Sequence, residues 1–139
     1  MSNRSLARTA AMQLLFERLF GNDAELDALV EMSSEYNNNY VPSRADQAYI
    51  DEVVSGVTAH QMEIDDLISE YLRGWTLDRI SKVDYAVLRL AVYELVYSGL
   101  PAPVVIDEAI ELTRRFSQEE SCRFVNGVLG NINRKLAKQ

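Results

Sequence analysis

One cysteine and one histidine are all the sequence offers of the residues that most often bind metals or act as nucleophiles. Cys122 has no second cysteine for an internal disulfide, and neither it nor His60 has a partner at metal-site spacing. The expectation is a chain with no metal, no cofactor and a home in a reducing compartment. No phosphate-cradling glycine loop is present. The acidic pairs Asp65-Asp66, Asp107-Glu108 and Glu119-Glu120 sit at spacings that solvated helix faces explain more simply than a carboxylate catalyst does. No apolar run approaches the ~20 residues that a membrane span needs. Arg4, Arg8 and Glu17 interrupt the apolar residues at the N-terminus, so a secretion signal is not expected and the cytoplasm is. Alternating β-branched stretches are missing too, which leaves no convincing strand.

What the sequence does have is apolar residues at three- and four-residue spacing along most of its length, the signature of amphipathic helix. Helices are expected over residues 3–20, capped near Asn3, and more weakly over 23–36, before the loop Asn37-Asn38-Asn39. Pro42-Ser43 and Asp46 signal a start for a long segment over 42–71 that bends near Ala59-His60 and stops at Gly74. After a connector over 76–81, residues 83–97 are apolar on nearly every side, as a central buried helix should be. Gly99, Pro101 and Pro103 break that helix. Two more follow over 104–116 and 118–136, the second announced by a Ser117–Glu120 capping box. Tyr71, Tyr85, Tyr93, Tyr97 and Trp75 read as core or partner-facing residues.

Charge is placed unevenly. All 21 acidic residues lie between Glu17 and Glu120, while the two ends carry only cations: Arg4 and Arg8 at one, Arg123, Arg134, Lys135 and Lys138 at the other. Termini packed together would make a basic patch on an acidic body of net charge −7.

Two helix faces stand out on a wheel. In the last helix Val125, Val128, Leu129, Ile132 and Leu136 share one side, and Arg123, Asn126, Gly127, Gly130, Arg134 and Lys138 share the other, with Phe124 at the margin. Glycine inside a helix costs roughly 1 kcal/mol relative to alanine. Two on a polar face point to a ligand that comes close to the backbone, to a closely crossing helix, or to simple tolerance. In the first helix, Arg4, Arg8 and Arg18 fall within an arc of about 80°. Such a face is a solvated surface or, beside an exposed Phe124, a platform for single-stranded RNA.

The segments "RTAAMQLLF" (8–16), "LDRISKVDYAVLRLAVYEL" (77–95), "PAPVVIDEAIELTRRF" (101–116) and "SCRFVNGVLG" (121–130) closely resemble the NusB family of bacterial transcription antitermination factors, over essentially the whole chain. The resemblance implies an all-α fold of about seven helices in two small packed bundles, forming a single RNA-binding domain over 1–139. It implies a protein that is not an enzyme and that binds boxA RNA of ribosomal RNA operons together with NusE, a ribosomal small-subunit protein, within the transcription complex. Carried over motif by motif, it points to Arg4, Arg8, Gln13, Glu120, Arg123, Phe124 and Gly127 for RNA, and to Tyr71 and Asp84 for the protein partner. Two departures are the sparse N-terminal arginines and Gly130, where relatives often have aspartate. The alternative is a helical interaction adaptor, or a homodimer, with a weakened RNA face.

Overall fold

Serine hydroxyls start three of the helices. Ser2, Ser43 and Ser81 accept from the backbone N–H groups of Ser5, Asp46 and Asp84 at 3.1, 3.1 and 3.0 Å, each satisfying a donor that a helix start leaves open, worth about 1 kcal/mol. The computed structural model describes residues 2–21 and 40–139. The described residues form six α-helices and no strand: α1 (Asn3–Arg18), α2 (Arg44–Ala59), α3 (Gln61–Glu70), α4 (Lys82–Tyr93), α5 (Ala102–Phe116) and α6 (Glu119–Ala137). The helix expected over 23–36 and the asparagine loop after it lie outside the described residues.

Four local features differ from the sequence reading. The first helix is capped by Ser2 rather than Asn3, because the serine hydroxyl reaches the Ser5 N–H from extended backbone. The bend at Ala59-His60 is a break between two helices: His60 leaves helical geometry (φ −111°, ψ 21°) while its N–H still bonds to Gly56. The fourth helix does not stay α-helical to Tyr97 but widens into a π-turn, Glu94–Ser98, which Gly99 ends with φ 75°. A glycine there adopts the left-handed conformation without steric cost. The Ser117–Glu120 capping box does not form. Ser117 is the C-cap of α5, with its N–H on the Thr113 carbonyl, and its hydroxyl lies 3.1 Å from that of Ser121 instead.

Apart from the half-buried Val83, the apolar residues of α4 are buried on all sides, Ala86, Val87, Leu88 and Val92 completely. Helices α1 and α2 pack together on one side of α4, and α3, α5 and α6 form the second group around it. A single hydrophobic cluster runs through both, anchored by Met12, Ile50, Ile64, Ile68, Leu88, Leu129 and Ile132. Each such side chain contributes about 1.5–3 kcal/mol by leaving water. Gly56 lets α2 approach α4 closely, because a Cβ at that position would overlap the Tyr93 ring. Asp65 ties α3 to α4, accepting from Arg89 at 3.0 and 2.8 Å and from the Tyr85 hydroxyl at 2.8 Å. Burial and the Asp65 bond push that hydroxyl up to about 12.

Candidate nucleic-acid interface

The polar face of α6 is open. Arg123, Asn126 and Gly127 are exposed, and Phe124 is half-buried against the core at the edge of that face. Among the described residues, a Cβ built on Gly127 meets nothing within 4 Å, and one on Gly130 finds only the Arg134 guanidinium, at 3.6 Å. No described helix therefore crosses closely enough to account for either glycine. Arg123 makes no ion pair among the described residues, so its charge is available to an outside anion.

Beside this face, a cavity of about 390 Å³ opens between the N-terminus of α6 and the connector before α4. Glu120 and Phe124 line it from α6, Asp84 from the first turn of α4, and Trp75 and Arg79 from the connector. The structure thus brings together two residues expected on the RNA face and one expected on the partner face. Asp84 is only 5 % exposed, and its Oδ1 has no hydrogen-bond partner among the described residues. Tyr71 sits elsewhere, half-buried at the end of α3, in a recess of about 500 Å³ rimmed by Arg134, Lys135 and Lys138. There Lys135 pairs with Glu70.

The first helix departs from the expectation of one exposed arginine face. Arg8 is 5 % exposed and grips the buried Glu94 through two hydrogen bonds, of 2.8 and 3.1 Å. The Tyr49 hydroxyl donates to the same carboxylate at 3.0 Å. Burial is the largest single influence and opposes the Arg8 charge, but the Glu94 hydrogen bond together with the charges of Tyr49, Glu94 and Glu108 outweighs it and holds the guanidinium above its usual range. Burial, followed by the Glu94 charge, also raises the Tyr49 hydroxyl. The reason for the departure is tertiary: Glu94 is 86 residues away, and no helical wheel contains it. Arg4 stays at the surface, its side chain 47 % exposed, though it lies 4.4 Å over the Tyr49 ring with Nε 3.3 Å from Asp46. Arg18 is exposed and donates to the Thr58 hydroxyl at 3.0 Å. Gln13 is half-buried, with a buried Oε1 that has no partner among the described residues. The first helix meets α5 through Ser5–Glu108, at 2.9 Å, and Arg115–Thr9, at 3.2 Å. The last helix packs on α5 as well.

Sequence reasoning left Arg79 out of the site and read Trp75 as core or partner-facing. Trp75 is 58 % exposed. A large aromatic in a polar connector, flanked by Arg73 and Arg79, was the available signal.

The model of the NusB family matches residues 5–134. This chain belongs to the NusB family. It is 43 % identical over 130 residues to the transcription antitermination protein NusB of Bacillus velezensis, covering 93 % of this chain and 94 % of that protein. The solved structure of T. maritima NusB superposes with a TM-score of 0.81 at 36 % identity, over 96 % of this chain and 92 % of that one. The crystal structure of antitermination factors NusB and NusE in complex with dsRNA contains a chain that superposes with a TM-score of 0.78 at 27 % identity, over 97 % of this chain and 98 % of that one. This NusB-family chain is all-helical in its described residues, and no helix among them is long and apolar enough to cross a membrane.

Proposed function

We propose that this protein is a transcription antitermination factor that binds boxA RNA together with NusE, acting in the cytoplasm as one RNA-binding domain over 1–139, with no catalytic step. Family membership supports the reading, as does likeness to a NusB chain solved with NusE and dsRNA. The observation that carries it is the α6 face, where Arg123, with no ion pair among the described residues, Phe124 at the margin, and Gly127, whose Cβ position meets none of those residues, lie close together on one surface. Each has a distinct task. Arg123 neutralises a phosphate, Phe124 stacks a base, and Gly127 admits the RNA backbone close to the helix. Glu120 accepts from a base edge, while Arg4 adds a peripheral cation and Gln13 an amide at the α1 side. Arg8 serves the same face as a positioning residue, by fixing α1 against α4. NusE contacts the chain at Tyr71 and Asp84.

The test is fluorescence anisotropy of labelled boxA RNA, with and without NusE, at two salt concentrations. Binding that NusE strengthens, with a slope near −0.7 per phosphate in log K against log salt, supports the reading. Phe124→Ala and Arg123→Ala should weaken it while helicity is kept. A folded protein that binds RNA neither alone nor with NusE would make the interaction adaptor, or a homodimer covering this face, the better account.

A further inference from the structure

We propose that the cavity between Trp75 and Phe124 is a nucleobase site, in which Trp75 stacks one base of the bound single strand and Arg79 holds an adjoining phosphate. The inference rests on the RNA reading and extends it to two residues outside the α6 face. Three observations carry it. Trp75, exposed in the connector, and Phe124, at the α6 edge, line the same opening, so two aromatic rings border one space. Its volume, about 390 Å³, lies in the range of small-ligand pockets. Arg79 at its wall and Arg123 on the adjoining face make no ion pair among the described residues, which suits a phosphate chain entering and leaving. A basic protein segment would meet those two arginines as like charges. Glu120 supplies an acceptor for the N–H groups of a base edge, and stacking needs only the π-face that every base has.

Trp75 is the sole tryptophan of the chain, so the protein carries its own probe. Titrating boxA RNA into the protein, alone and with NusE, while reading anisotropy and intrinsic tryptophan emission together tests the site. The expected result is quenching of Trp75 that follows RNA occupancy. Affinity should fall between about five- and about a hundred-fold in Trp75→Ala and be largely kept in Trp75→Phe. RNA that binds by anisotropy without quenching, or with equal affinity in Trp75→Ala, overturns the base site and leaves the α6 face standing. A blue shift with NusE alone, unchanged by later RNA, assigns the cavity to the protein partner and also overturns it. No RNA binding under any condition removes the α6 face and the base site together.

Discussion

Replacing Arg8 with alanine separates a structural arginine from an RNA-binding one. The substitution leaves the Glu94 carboxylate, 2 % exposed, with the Tyr49 hydroxyl as its remaining side-chain donor among the described residues. Breaking a buried pair in this way costs about 3–5 kcal/mol, most of it the penalty of an uncompensated charge. Against a total stability of about 5–15 kcal/mol, that is a large share. With a urea dependence of about 1–3 kcal/mol per molar, the unfolding midpoint should drop by roughly 2 M. Arg8→Met combined with Glu94→Gln removes both charges and keeps an acceptor for Tyr49, so it should recover at least half of the loss. Below the unfolding transition, RNA affinity should change less in Arg8→Ala than in Arg123→Ala. A stability within about 0.5 kcal/mol of the parent, coupled with a drop in RNA affinity as large as that of Arg123→Ala, would refute the reasoning and make Arg8 a direct ligand.

The two glycines with opposite surroundings give opposite expectations. Gly127→Ala should raise stability by about 0.4–1 kcal/mol in urea unfolding while weakening RNA binding several-fold, and a gain in stability with unchanged affinity would mean the helix merely tolerates glycine. Gly56→Ala should lower stability by about 1–3 kcal/mol, because the added methyl must displace the Tyr93 ring; an unchanged midpoint would show that α2 and α4 are not so close. Alkaline pH tests the Asp65 network. The Tyr85 hydroxyl is pushed up to about 12, whereas an unfolded tyrosine titrates near 10, so its contribution is fully present below about pH 10 and disappears as pH rises through about 12. Urea midpoints at pH 9 and pH 11.5 should therefore converge in Tyr85→Phe relative to the parent, and equal losses in both proteins would remove Tyr85 as the cause.

The helices were legible wherever a local signal decided them. Ser43 ahead of Asp46 marked the start of α2, apolar residues on nearly every side of 83–97 marked a central buried helix, and a bend was expected near Ala59-His60, where α2 and α3 part. Features set by distant contacts were not legible. The wheel placed Arg8 beside Arg4, but the residue that draws it inward is on another helix. The π-turn begins at that same residue, Glu94, held between Arg8 and Tyr49. A capping box at Ser117 failed because α5 runs to Phe116 and the N-cap position of α6 falls one residue later, on Gln118. Within the site, Phe124 and Gly127 were readable from helical phase. Trp75 and Arg79 were not, because a connector has no period, and only the fold places it against the start of α6.

The chain of contacts from Arg4 over the Tyr49 ring, and from Arg8 to Glu94, changes how deletions at the N-terminus must be interpreted. Removing the first eight residues takes away two cations, and the natural inference from weaker RNA binding would be that phosphate contacts were lost. The same deletion strips the counter-charge from a carboxylate in the middle of the protein and the helix cap at Ser2. Lost binding after such a truncation would report a loosened scaffold as readily as a missing ligand, so surface charge at this end is better probed by single changes at Arg4, whose side chain can be neutralised without emptying the interior.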